Sequence, residues 1–368
     1  MRRTVSALAV LSTLAATSVA SADAPGPGYF ASDNIEYVGY VPLENDTAGA
    51  RVVGNYLYVT NSRTLTIYDL SDPEAPVRVG STVVLDQPYF AEEDVDTNGK
   101  ILLWGSLGTL HVIDVEDKSN PLVIGELDGA EEHTISCVLD CKYGYGSEGV
   151  IVDLRDPTAP KAVGNWGEGT PSWDGGHDVT EVAPGMVLTS TQPLMLLDAR
   201  RNPAKPKVIA LGGNKDERFI HSNLWPNRMK DNFFLAGGES GGPSCDDTDG
   251  AFMTWDTRSW KKTKTFTMID EYRVKNGLPT NGDPPVNLTG CMHWFDVNPS
   301  YRNGGLVSVA WYDHGTRLLN VTSSGKIEEA GYFLPVGGST SAAYWVTKDI
   351  IYTADYTRGI DIIRVTGT

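Results

Sequence analysis

Basic residues are in short supply in this chain: 30 Lys and Arg face 47 Asp and Glu over 368 residues, for a formal net charge of −17. A surface of that sign repels phosphate backbones and anionic lipid, which argues against nucleic-acid or membrane-surface work. Cysteine is scarce, with four residues, and histidine nearly as scarce, with six. No long segment repeats its apolar residues at the helical spacing, so helical architectures have no support. No phosphate loop and no dinucleotide fingerprint is present, and neither Ser190 nor Ser240 stands in a G-x-S-x-G elbow. Nucleotide chemistry and serine hydrolysis therefore lack their usual signatures.

The first residues, MRRTVSALAVLSTLAATSVASADA, hold two arginines, an apolar run from Val5 to Val19, and Ala20-Ser21-Ala22 ahead of an acid. The run is too short to span a bilayer and A-x-A is a cleavage pattern, so 1–22 reads as a signal peptide cleaved near Ala22 and the protein as secreted. Loss of Arg2 and Arg3 takes the basic count from 30 to 28 against 47 acids, a net charge of about −19. In an exported chain four cysteines point to two disulfides; of the three pairings, Cys137–Cys141 with Cys245–Cys291 is preferred, and thiolate metal ligation is the alternative.

Short alternating strands bounded by Gly, Pro, Asp and Asn fill the rest, with a period of about 40 residues, the size of a four-stranded propeller blade. The clearest copies are LTIYDLSDPEAPVRVG, LHVIDVEDKSNPLVIG, GVIVDLRDPTAPKAVG and LMLLDARRNPAKPKVIA. Each ends a strand in Asp, turns at a proline or its equivalent, and resumes in a short outer strand; the Asp can cap the turn through its own following backbone. The last copy, Ser341 to Val365, stops without an outer strand, and IEYVGYVP at Ile35 to Pro42 resembles the missing one. The expectation is an all-β, single-domain propeller over 23–368 with about seven blades, closed by the N-terminal strand pairing into the last blade.

The strand followed by D-x-S/D-x-P-x-x-P resembles LVIVD-repeat propellers. HTISCVLDCKYGY, WYDHGTRLLNV and DYTRGIDIIRV are similar to segments of secreted actinobacterial members. The resemblance covers nearly the whole mature chain and implies the fold, with little about reaction.

Chemistry is concentrated in the histidines. His133, His177, His221 and His293 stand just ahead of the first strand of successive blades, in EEHTI, GGHDV, FIHSN and CMHWF. First strands line a propeller's channel, so four imidazoles are expected to face one another at its mouth. Such a set suits copper or iron, with zinc behind them, and disfavours calcium or magnesium. The arrangement is similar to the four-histidine iron site of carotenoid-cleaving propellers and to the copper site of selenium-binding-protein propellers. His314, in the turn of WYDHGTRLLNV, is a candidate fifth ligand or acid/base, whereas His111 reads as an ordinary strand residue.

Carboxylates that could orient the imidazoles are Glu92, Glu93, Glu131, Glu132, Asp178 and Glu239, with Glu93 and Glu239 the candidates for catalysis. Trp173, Trp225, Trp294, Trp311, Tyr312 and Trp345 either wall a substrate pocket or pack between blades. The expected activity is a metal-dependent oxidoreductase acting on a small organic or sulfur-containing molecule, with O2 as oxidant. Two alternatives stand beside it: a metal-free propeller that binds a protein or glycan, and a zinc hydrolase or lyase using the same histidines. Neither nucleic acid nor membrane is an expected partner, and the sequence leaves the oligomeric state open.

Overall fold

The computed structural model describes residues 28–42, 47–88, 95–106, 108–130, 133–171, 176–212, 219–239, 250–274 and 292–367. The expected signal peptide, Cys245, Cys291, Glu92, Glu93, Glu131, Glu132 and Trp173 lie outside them.

Antiparallel sheets follow one another along the chain. Thr47–Val53, Tyr56–Asn61, Thr64–Asp69 and Val77–Val83 pair in that order, as do Asp96–Thr97, Ile101–Ser106, Thr109–Asp114 and Leu122–Asp128. Ile135–Val138, Tyr143–Gly146, Val150–Asp153 and Lys161–Asn165 repeat the pattern. The next two repeats share one eight-stranded sheet. Its halves are Val179–Ala183, Met186–Thr189, Leu194–Asp198, Lys207–Gly212 and Ile220–Leu224, Phe233–Gly238, Phe252–Asp256, Thr265–Tyr272. Their outer strands meet in parallel, Leu211 opposite Thr265 and Gly212 opposite Phe266. Phe295–Val297, Gly305–Ala310, Thr316–Val321 and Ile327–Pro335 follow, and Tyr29–Ala31 adds a fifth strand on the outside that the repeat pattern does not announce. Finally, Ile35–Pro42 pairs with Gly359–Val365, which pairs in turn with Ile350–Asp355 and Thr340–Trp345.

The first strand of one repeat touches the first strand of the next: Thr47–Val53 meets Asp96–Thr97, then Ile135–Val138, Val179–Ala183 and Ile220–Leu224 follow, and Thr340–Trp345 returns to Thr47–Val53. Burial runs the same way, with Met186–Thr189 wholly buried and Lys161–Asn165 mostly exposed. The apolar core is therefore divided into layers between neighbouring sheets, such as Val138, Tyr145 and Ile151 packed on Val179, Val187 and Met195.

The repeated D-P-x-x-P and V-G motifs explain how sheets stack. Asp69, Asp114, Asp153, Asp198 and Asp256 each accept the backbone N–H two residues on, which caps the turn leaving the third strand. The following turn presses against the glycine of the preceding sheet's bulged outer strand. A Cβ on Gly80 would lie 2.0 Å from Lys118 O, on Gly125 2.2 Å from Pro157 O, and on Gly164 2.1 Å from Ala204 O. Only glycine admits that approach. A looser version of the contact joins the chain's two ends: a Cβ on Gly39, on the strand paired to the C-terminus, would lie 3.7 Å from Glu74 O, and the Tyr352 hydroxyl donates to Pro73 O at 2.7 Å, as Tyr145 does to Pro203 O.

Candidate functional site

His133, His177 and His293 stand two residues before their strands, while His221 lies inside Ile220–Leu224 rather than ahead of it. Because the first strands surround a common axis, their rings meet: centroids are 4.4 Å apart for His133 and His177, 3.8 Å for His177 and His221, and 4.3 Å for His221 and His293. His221 and His293 are fully buried and the other two half-buried.

Local structure holds each of them. His177 N donates to Ser190 O, and His293 N to Ala310 O, so the end of the second strand grips the start of the first. The residue after a histidine ties down the next repeat: Thr134 Oγ1 donates to His177 O at 2.7 Å, and Ser222 Oγ to His293 O at 3.2 Å. His293 Nδ1 lies 2.6 Å from Ser341 O. A carbonyl only accepts, so Nδ1 carries the hydrogen and the ring's orientation is fixed by this bond.

Glu239 completes the group. It follows Phe233–Gly238, whose antiparallel pairing sets Gly238 opposite Ile220, so its carboxylate returns to the mouth where His221 begins. One oxygen is 3.7 Å from His221 Nε2, and the other accepts the Tyr312 hydroxyl at 2.6 Å. His177, His221 and Glu239 each offer a donor atom, all within 4.8 Å of one another. The role expected of Glu239, catalysis or orientation of imidazoles, thus meets a geometry equally suited to ligation.

Tyr312, expected either to wall a pocket or to pack between blades, stands beside His293 and Glu239. Its ring lies 4.7 Å from His293 and 6.1 Å from Tyr356, and its φ is +36°, a conformation bulky residues avoid. Bonds in both directions to Thr340, at 3.2 and 3.1 Å, hold it there. Tyr356 and Phe219, 6.1 Å from His293 and 5.6 Å from His177, are further neighbours that sequence reasoning passed over. The available signals were the hairpin rule that second strands end where first strands begin, which places Tyr356 after Ile350–Asp355 at the histidine mouth, and the position of Phe219 directly before Ile220–Leu224.

His314 occupies the expected turn, half-buried, with its N–H bonded to Trp311 O. His111 is buried in Thr109–Asp114, 3.1 Å from Glu126. Trp294 packs 5.0 Å from His221, whereas Trp225 lies in the core between two sheets.

Asp178 does not orient its neighbour His177. Its carboxylate accepts the Thr180 hydroxyl at 3.0 Å and backbone N–H groups of Val179 and Asn223, the latter on the next first strand. Asp96 and Asp296 do the same: Asp96 accepts Thr97 N and Cys137 N, and Asp296 accepts Val297 N and Trp345 N. These acids line a channel cavity of about 350 Å³ below the histidines, with Arg51 3.3 Å from Asp96. Burial pushes the carboxyls of Asp178 and Asp296 up to about 6 against the bonds they accept.

Cys137 and Cys141 form a disulfide across a left-handed turn, at the end of Ile135–Val138 away from His133. It anchors the histidine-bearing strand from its far end.

The LVIVD repeat family matches residues 46–83, the first complete sheet. No curated protein matches the chain. Among solved structures, the β-propeller domain of Cps50 (Swd1) from Myceliophteria thermophila aligns with TM-score 0.62 at 12% identity, covering 88% of this chain and 98% of that one. U3-55K aligns with TM-score 0.59 at 10% identity, covering 92% of this chain and 100% of that one. At such identities the likeness speaks for the fold: the chain is an all-β propeller that carries an LVIVD repeat.

Proposed function

We propose that this protein is a secreted, metal-dependent oxidoreductase built on a single seven-bladed propeller domain over 23–368, the eight-stranded sheet counting as two blades. The observation that carries the proposal is the convergence of His177, His221 and Glu239 donor atoms within 4.8 Å, flanked by His133 and His293. Two imidazoles and a carboxylate leave coordination positions open, and with His133 and His293 beside them the donor set suits iron or copper. Ser341 O holds His293 Nδ1–H and fixes the orientation of that ring beside the group. A redox metal here would supply electron transfer and O2 activation toward a small organic or sulfur-containing substrate.

The chain's own residues supply the rest. Tyr312 orients Glu239, the half-buried faces of His133 and His177 form the approach, and Trp294 seals the floor toward the channel. Elemental analysis after reconstitution with iron or copper tests the reading. One transition-metal ion per chain is expected, lost in a folded His177→Ala/His221→Ala variant. Absence of stoichiometric metal, or unchanged content in that variant, overturns it. Electron paramagnetic resonance of the loaded protein separates copper or iron from a zinc hydrolase or lyase using the same residues.

A further inference from the structure

The face opposite the histidines holds a cavity of about 500 Å³ at the junction of the two halves of the eight-stranded sheet. One wall comes from the turn at Ala183–Met186 and from Arg200 just past Leu194–Asp198. The other comes from residues 225–232 and from 257–261. The parallel pairing of Lys207–Gly212 with Thr265–Tyr272, extended by Leu211 N to Lys264 O at 3.0 Å, fixes the two walls relative to each other.

Charge in this cavity runs against the rest of the molecule. In a chain of net charge −17, Arg200, Arg228, Lys230, Arg258 and Lys261 line it. Arg200 and Arg258 pair with Asp198 and Asp256, at 2.9 Å and 3.0 Å from their Nε atoms, which offsets their charge and leaves Arg228, Lys230 and Lys261 as the cations in excess. Among the described residues no acid pairs with Arg228, Lys230 or Lys261. Asp231, the acid in the lining, is engaged by the Asn227 amide at 2.9 Å and by Asn303 N at 2.9 Å.

The segment bearing Arg228 is built to hold that shape. Asn227, Arg228 and Met229 have φ of +55°, +54° and +61°, a left-handed turn that side-chain-bearing residues resist. The turn is fixed by Trp225 Nε1 donating to Asp231 O and by Asn227 donating to Tyr301 O. Beneath the charges lie Trp225, Met186 and Met229, with the half-buried Trp260 standing 6.1 Å from Trp225.

We infer that this cavity is a binding site for a small organic polyanion, a molecule with two or more sulfate, phosphate or carboxylate groups on a ring that rests against Trp260. Cations over an aromatic floor match both parts of such a ligand. The acidic surface beyond the cavity repels an extended polyanion, which limits the ligand to a short one. Sulfated sugars and nucleotides share this chemistry, and the test distinguishes them.

Full-length protein is titrated calorimetrically with a sulfated disaccharide, with a nucleoside triphosphate, and with a neutral disaccharide, at low and at high salt. Saturable, salt-sensitive binding of at least one anionic probe and none of the neutral one is expected. Both side chains are exposed and neither pairs with an acid among the described residues, Lys261 lying 5.9 Å over the Trp260 ring, so Arg228→Gln/Lys261→Gln is tolerated without unfolding; melting temperature and metal content should hold while affinity falls about tenfold or more. Binding of neither anionic probe, or equal affinity in the folded double variant, overturns the inference.

Discussion

Replacing Asp296 by Asn should change how the protein's stability depends on pH. Burial lifts this carboxyl from its ordinary 3.8 to about 6, although Val297 N at 2.8 Å and Trp345 N at 3.0 Å favour the charged form. A folded-state value above the unfolded one means the native protein binds the proton more tightly. The stability this contributes is fully present below 3.8 and is lost as pH rises through about 6. The whole difference corresponds to about 3 kcal/mol, of which about 2 kcal/mol falls between about pH 4.5 and pH 7.5. Asn cannot ionise, but its NH2 cannot accept from one of the two N–H groups, a fixed loss of about 1–2 kcal/mol. Guanidinium unfolding of both proteins at the two pH values should therefore show the variant gaining about 2 kcal/mol on the wild type from the lower to the higher pH. A gap of constant size would refute the assignment of Asp296 as a buried carboxyl linking two inner strands.

Other expectations can be checked alongside it. Tyr312→Phe removes the hydroxyl that bonds Glu239 and, on the proposed metal reading, should weaken metal affinity about 10- to 100-fold in a competition titration, with the melting temperature little changed. Gly164→Ala drives a Cβ to 2.1 Å from Ala204 O, backbone against backbone, and should destabilise by about 1–3 kcal/mol by denaturant unfolding. Reducing Cys137–Cys141, whose sequence separation is 4, should cost about 2 kcal/mol from the loop it closes, measured with and without reductant. Arg358→Met leaves Asp361, wholly buried and 2.9 Å from the guanidinium, without its counter-charge; a loss of about 3–5 kcal/mol or failure to fold is expected.

The sequence by itself determined the repeat and most of its architecture. Strand alternation and turn-capping Asp are local signals, and Ile35 to Pro42 was readable as a strand because the last repeat visibly lacked one. It also determined that four histidines share one repeat position, and a common position in repeats around an axis becomes proximity. Only the tertiary structure decided which groups join them. Glu239 and Tyr312 come from second-strand ends on different repeats, residues 73 apart whose meeting depends on the ring's curvature and on Thr340 holding Tyr312 at positive φ. Asp178 looked like a partner of His177 because it is adjacent in sequence, yet strand alternation turns it to Thr180 and Asn223 in the channel. The basic cavity was illegible for the same reason: Arg200, Arg228 and Lys261 gather only where parallel pairing of two outer strands joins neighbouring sheets, a contact with no short-range signature.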